Sequence, residues 1–329
     1  MPGTQIFTYV NFGKETTHGT PVAPTRQLYG EGTGVIEPTF GLNFHEGENA
    51  GRRYRTRRVT SAAEDVTLKY RSLSGVSFDD LVVPFSQLKG GATGSGAGAD
   101  KTWTFTPSAT AANSPESYSV DVGDDTQNWR VQYAMAQRIK LAAARNDVTS
   151  MEMDMFGQRA VKGAKATPSA NTALKIPGDL WTIKFAANIA GLGAASVQSN
   201  FLLAWEVEIM TGLKWRHYMD GNLYGGQHVE TDIAATLTMT VESTALAVSE
   251  FYDKAVAGTM DFLRLRATGP ALGTGNYGAG FDMPVLYDVP TIIDSEEDGI
   301  NLYKVTARLA DDGTNGIIPY LVNSIATLP

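Results

Sequence analysis

The feature that most constrains this chain is strict alternation of apolar and polar residues over short runs. Met151-Glu152-Met153-Asp154-Met155 puts three methionines on one side and two acids on the other. An extended strand sorts residues with period two, whereas a helix of period 3.6 would mix them on its faces. The pattern recurs along the chain. Val66, Leu68 and Tyr70 alternate with Thr67 and Lys69, and Trp205, Val207 and Ile209 alternate with Glu206 and Glu208. Ile233, Ala235, Leu237, Met239 and Val241 alternate with Ala234, Thr236, Thr238, Thr240 and Glu242. Tyr303, Val305, Ala307 and Leu309 alternate with Lys304, Thr306 and Arg308. Thr102-Trp103-Thr104-Phe105-Thr106 reads as another strand, and further strands are expected around 117–122, 128–134, 137–143 and from Phe262 onward. Each such strand buries one face, which predicts a mainly β fold with short helices, an α+β arrangement.

Two short helices interrupt the strands. Ser77 can cap a helix whose first turn holds Asp79 and Asp80, with Phe78, Leu81, Val82, Phe85 and Leu88 as its apolar stripe. Pro84 keeps that helix short or kinked. Residues 249–256 suggest a second helix with Ser249 as its cap.

A length of 329 residues suggests about two domains. The order of strands and helices repeats, so the expected division is a β domain over 1–162, a linker over 163–178 and a second β domain over 179–329. Gly163, Pro168 and Pro177 among small polar residues give the linker its character. Residues 64–81 correspond to 231–254, and 102–105 to 261–264. The halves agree in pattern more than in identity, so two unrelated β domains remain the alternative.

Chemistry is sparse. The chain has no Cys, which excludes disulfide frameworks, cysteine zinc sites and thiol nucleophiles, and points to assembly in a reducing compartment. The formal net charge of -8 disfavours broad attraction to nucleic acid or anionic membranes. The N-terminus lacks the basic start and apolar core of a signal peptide, and no run reaches the ~18 apolar residues of a membrane helix, so a protein not exported by the usual route is expected. His18, His45, His217 and His228 show no metal-ligand spacing, and no G-x-S-x-G elbow marks a serine nucleophile. Gly273, Gly275 and Gly278 match a dinucleotide fingerprint only formally, and a surface loop is expected there. Asp294, Glu296 and Asp298 start like a calcium loop, but Val305 stands where its bidentate Glu belongs, which leaves a solvated acidic turn. No catalytic residue, cofactor or metal is expected.

Two charged features stand out. Arg52, Arg53, Arg55, Arg57 and Arg58 are five arginines in seven residues. They suit an acidic neighbouring subunit, a plain solvated loop or nucleic acid, in that order. Glu152 with Asp154, and Glu206 with Glu208, put like charges on one strand face. Such a face is either ordinary solvent surface or a shared negative surface, lining a lumen, that a polyanion slides past.

The stretch Asn11-Phe12-Gly13-Lys14-Glu15-Thr16-Thr17-His18-Gly19-Thr20-Pro21-Val22-Ala23-Pro24-Thr25 is similar to the N-terminus of tail tube proteins of long-tailed, non-contractile bacteriophages, where such a turn precedes the first strand. Asp65-Val66-Thr67-Leu68 leading to Gly75-Val76-Ser77-Phe78-Asp79-Asp80-Leu81, and then Thr102-Trp103-Thr104-Phe105-Thr106-Pro107, resemble the following strand, helix and strand of that family. The similarity is clearest over residues 8–160, and the second half matches by pattern. It implies two tandem β-sandwich or partial-barrel domains, each with a flanking helix. Three chains of this duplicated type would form a pseudo-hexameric ring, and rings would stack into a tube through which DNA passes. The implied partners are further copies, tape measure, tail terminator and tail-tip proteins, in a virion tail assembled in the host cytoplasm. On that reading the five arginines are inter-ring contacts, and Glu152, Asp154, Glu206 and Glu208 face the lumen. Another tail component (terminator or baseplate protein) and a glycan-binding β-sandwich are the alternatives.

Overall fold

The computed structural model describes residues 9–28, 36–44, 61–72, 75–124, 126–163, 166, 173–199, 201–297 and 299–329. The chain is mainly β with a few short helices. The first half runs β1 (Tyr9–Lys14), β2 (Arg26–Gln27), β3 (Ile36–Phe44), β4 (Ser61–Ser72), α1 (Val82–Ser86), β5 (Lys101–Thr104), β6 (Tyr118–Gly123), β7 (Asn128–Ala144), β8 (Ser150–Gly157) and β9 (Arg159–Lys162). The second half runs β10 (Trp181–Ala186), β11 (Leu202–Met210), β12 (Leu213–Arg216), β13 (Gln227–Glu230) and β14 (Ala234–Glu242). A helical stretch follows as α2 (Ala245–Ala247), a π-turn (Val248–Asp253) and α3 (Lys254–Ala257). Then come β15 (Asp261–Leu272), β16 (Gly275–Tyr287), β17 (Thr291–Glu297), β18 (Ile300–Leu309) and β19 (Ile318–Asn323).

The alternating runs meet in one long antiparallel sheet ordered β3-β4-β8-β7-β11-β14-β18-β17. Register keeps its apolar residues in step. Tyr70 lies opposite Met153, Met153 opposite Ile139, Ile139 opposite Ile209, and across the next columns Val207 faces Leu237 and Leu237 faces Ala307. All are buried in one core that spans both halves of the chain. A one-residue slip in any column would move its apolar set to the charged side, so burial fixes the register.

A second layer covers this core. In the first half it is β2-β1-β6-β7-β9, and in the second β10-β15-β16-β19 with β5 added from the first half. Aromatic rings join the layers, with Phe12 of β1 6.1 Å from Tyr70 of β4 and Trp181 of β10 4.4 Å from Trp205 of β11. β7 belongs to both layers. Its first part pairs with β6 and β9, and its last part with β8 and β11. The expected two strands at 128–134 and 137–143 are therefore one strand bent between them, with Tyr133 at φ 55° and a register shift between Ala136 and Arg138.

The halves share one pairing scheme. β3-β4-β8 in the first matches β11-β14-β18 in the second, and β1-β6-β7-β9 matches β10-β15-β16-β19. Like β7, β16 leaves the second layer at its end to pair with β18. The match of 64–81 with 231–254 fits this scheme. The match of 102–105 with 261–264 does not, because β15 takes the place of β6, whereas β5 caps the edge of β19. The stretch 273–278 is not a loop but a tight turn at Gly273 leading into β16.

The helices also differ in detail. Ser77 and Asp80 cap each other reciprocally ahead of α1, whose residues are all buried. The second helix starts earlier than expected, because the Thr244 hydroxyl rather than Ser249 caps it, accepting from the Ala247 N–H. The end of the expected linker is built into the fold. Ile176 is fully buried and exchanges backbone hydrogen bonds with Val76 and Thr149. Residues 164–165 and 167–172 lie outside the described residues.

Because one core serves both halves, calorimetry should record a single cooperative unfolding transition. Leu237→Ala, at a fully buried position, should lower stability by about 2–5 kcal/mol and leave that transition single. Two separate transitions would show that the halves fold independently.

Candidate functional site

The polar side of the long sheet gathers the four acids singled out by alternation. Glu152 and Asp154 stand on β8, Glu206 and Glu208 on β11, and between them runs β7 with Arg138 and Lys140. Arg138 reaches Asp154 at 2.9 Å and Glu152 at 3.9 Å, and its Nε donates to Glu208. Lys140 contacts Glu206 at 2.8 Å. Partial burial works against the charge of Arg138, but the hydrogen bonds it donates to Glu208 and Asp154 outweigh that and raise its pKa. Outside this block, Lys69 and Arg71 on β4 register against Asp154 and Glu152. On the far side Thr236, Thr238 and Thr240 of β14 separate Glu206 and Glu208 from Lys304 and Arg308 of β18. Arg308 pairs with Asp288 at 3.0 Å.

The alternation thus placed the acids on one face, but that face is not a bare negative surface. Its columns run base, acid, base, acid, hydroxyl, base. The sequence shows acids two apart within a strand, and only the strand order shows what stands between the strands. Each pair is partly exposed, so each contributes roughly 0.2–1 kcal/mol. The effect on the surface is larger than the effect on stability, because charges that cancel within one strand spacing leave little field beyond the Debye length of about 8 Å.

A second cluster was not legible in the sequence. Glu15, 3% exposed, accepts hydrogen bonds from the Gly19 N–H (2.8 Å), the Ser117 and Ser119 hydroxyls (2.7 and 2.9 Å) and the Tyr133 N–H (2.9 Å). One carboxylate therefore ties the turn after β1 to β6 and to the bend of β7. The glycine of that turn is required, because Gly19 has φ 77° and an added Cβ would meet Gln158 at 2.9 Å. This turn follows the first described strand, whereas the expectation placed it before the first strand. The Ser117 proton goes to Glu15, so Ser117 accepts from Nδ1 of His18 at 2.7 Å. The buried serine sits between carboxylate and imidazole, the wrong order for a nucleophile whose base must touch both partners.

His18 stacks on Tyr133, and the Tyr133 hydroxyl meets Nδ1 of His228 at 3.0 Å. Trp215 of β12 closes edge-on over Tyr133 at 5.0 Å. The β12–β13 hairpin of the second half is thereby fastened to the first half. Burial, and then the nearby His18, lower the pKa of His228, while Glu230 acts weakly in the opposite sense. These residues lie far apart in sequence, and no spacing rule links them.

Among the described residues no group of His, Asp or Glu could hold a metal ion, and no helix is long and apolar enough to cross a membrane. Asp294 and Glu296 lie in β17, and Asp298 lies outside the described residues. Arg52, Arg53, Arg55, Arg57 and Arg58 lie outside the described residues. No protein-family model matches the chain, and no curated protein does.

Two outcomes are expected. Glu15→Ala strands several buried donors and should cost roughly 3 kcal/mol or more, whereas Glu206→Ala should cost under about 1 kcal/mol, both read from urea titrations. His228 is held neutral in the folded chain, so the unfolded chain binds more protons as pH falls through about 6.5. Stability contributed there is present above that pH and lost below it. The Trp215 fluorescence should report the hairpin loosening in the same window, and His228→Phe should flatten that response.

Proposed function

We propose that this chain is the tail tube subunit of a non-contractile phage tail, a structural protein that polymerises into stacked rings around a channel for DNA. The observation that carries this reading is the junction between the halves. There the last part of β7 pairs with β11, from Arg138 opposite Met210 to Ala144 opposite Ala204. By the shared pairing scheme, β3 is the counterpart of β11, and the end of β16 with β17 is the counterpart of β7. The outer edges of the long sheet are β3 on one side and β17 with Leu286 and Tyr287 of β16 on the other; among the described residues β3 pairs only with β4, and β17, Leu286 and Tyr287 pair only with β18. A second copy can therefore repeat between chains the contact that already exists within one. Exposed sheet edges favour such pairing, and a head-to-tail contact makes rings or filaments. The resemblance of the N-terminal turn selects the tail tube among proteins that could use such edges.

In this assembly the charged face lines the lumen. Its interleaved bases and acids offer DNA phosphates no continuous positive track and no strong net repulsion, which suits passage without binding. Further copies, tape measure, terminator and tail-tip proteins are its partners, and the Arg52–Arg58 stretch is a contact between copies.

Concentrated protein should form rings or tubes under the electron microscope, and a chain that stays monomeric across salt and temperature would sink the reading. Glu206→Lys with Glu208→Lys frees Lys140, leaves Arg138 only its β8 partners Asp154 and Glu152, and turns the two adjacent columns of β7 and β11 basic. Tubes of that variant should still assemble and should retain DNA in a salt-dependent way, while wild-type tubes do not. Equal DNA retention by both would remove the lumenal role of this face.

A further inference from the structure

A groove of about 870 Å³ opens at one end of the long sheet, and nothing above assigns it a role. Its walls are residues 107–113 between β5 and β6, residues 228–233 leading from β13 into β14, and residues 309–311 with Gly316 and Ile317 after β18. The floor is apolar, formed by Ile233, Leu309 and Ile317. Among the described residues three acids line it, Glu230, Asp232 and Asp311, and no Lys or Arg does. Glu230 is committed to the wall, because its carboxylate accepts from the N–H groups of Asn113 (2.8 Å) and Ser114 (3.0 Å). Asp232 and Asp311 are exposed. An acidic groove with an apolar floor fits a basic segment carrying an aromatic residue.

The same chain contains one. Residues 52–58 hold five arginines around Tyr54, within the connection from Phe44 to Ser61. Register places the mouth of that connection at the groove's end of the sheet. Ser61 lies beyond Val66, Val66 is opposite Gly157, and Phe156 is opposite Met135. Arg138 is then opposite Met210, Met210 opposite Ala234, and Thr236 opposite Arg308, next to Leu309. Within one copy β4 and β18 are five strand spacings apart, roughly 24 Å at about 4.8 Å each. If β3 of a second copy lies along the edge that β17 and the end of β16 form, it is two spacings from β18, roughly 10 Å.

Resting on the reading of the chain as a self-assembling subunit, we propose that the groove receives residues 52–58 of the laterally adjacent copy, with Asp232 and Asp311 facing its arginines. The arginine segment then locks neighbours side by side within a ring, in place of the contact between stacked rings expected from sequence. Arginine suits this task because its guanidinium pairs with carboxylates while its stem and Tyr54 cover apolar surface.

Charge exchange in the full chain tests it, with assembly read by sedimentation and microscopy. Arg53→Glu with Arg55→Glu and Arg57→Glu should reduce the sedimenting fraction roughly tenfold or more, as should Asp232→Arg with Asp311→Arg, since like charges are juxtaposed in each. Combining all five substitutions restores opposite charges and should restore assembly. Circular dichroism checks that each variant folds. Normal assembly of the groove variant, or failure of the combined variant to recover while folded, overturns the proposal and leaves the subunit reading standing. A wild-type chain that never assembles overturns both. The chain's lack of Cys allows a second reading: Arg55→Cys with Asp232→Cys should give disulfide-linked multimers, and linkage within single chains would overturn the assignment to a neighbouring copy.

Discussion

The structure depends on the bend in β7. This 17-residue strand is shared by two sheets and by both halves of the chain. Its first part holds β6 and β9 in the covering layer, and its last part sits between β8 and β11 in the long sheet. A straight strand could serve only one of these. At the turning point Tyr133 adopts φ 55°, a conformation disfavoured for a bulky residue. The surroundings hold it there: Glu15 accepts the Tyr133 N–H, the Gln87 side chain accepts the Ala136 N–H, and the Thr211 hydroxyl donates to the Ala136 carbonyl. Backbone groups released from the ladder by the bend thus find partners in the turn after β1, beside α1 and after β11. The elements that meet at the bend come from the start and the middle of the first half and from the second half.

Much of this was legible in sequence wherever one physical rule decided the outcome. The Met151 to Met155 alternation fixed a strand, its buried face and its polar face together. The short helix near Pro84 was legible, but it begins at Val82 behind Leu81, so Ser77 and Asp80 close the turn ahead of it and do not cap its first turn. What failed to show was non-local. Gly275, Gly278 and Pro284 argue against a strand by composition, yet β16 forms because β15 and β19 supply partners on both sides. The true cap of the second helix, Thr244, lies five residues before Ser249, and a π-turn in the middle hides the usual spacing. At the candidate surface the acids were visible, but their neutralisation by Arg138 and Lys140 was not, because strand order is not a property of any local window. His18, Tyr133 and His228 meet only once three distant segments have folded.

The charged face and the apolar face answer the same constraint. A sheet whose inner side is unbroken hydrophobic must place every polar side chain on the other side. Four acids on two strands would then repel across the sheet unless bases intervened. β7 supplies them because its polar positions after the bend are Arg138 and Lys140. The bulge between Ala136 and Arg138 sets that phase. Without the extra residue, the two bases would point into the core beside Met153, and the acids would face one another unscreened. A local irregularity in one strand therefore sets both the packing of the core and the electrostatics of the surface.

The duplicated pairing scheme carries this logic beyond the single chain. The contact of β7 with β11 fixes not only a register but also the rotation that takes one half onto the next, because the twist across a strand pair is set by its backbone geometry. If copies join through β3 and β17 as their counterparts join within the chain, that same rotation is applied at every junction. Whether a ring closes, and with how many copies, is then decided inside each subunit before any two meet. A chain containing two halves has half of its junctions preformed and covalently guaranteed. That halves the number of associations needed for closure and removes the loop of entropy loss that each further free partner would add. The buried arrangement around β7 is thus the clamp that unites the halves and, in the proposed assembly, the template for the contact between copies.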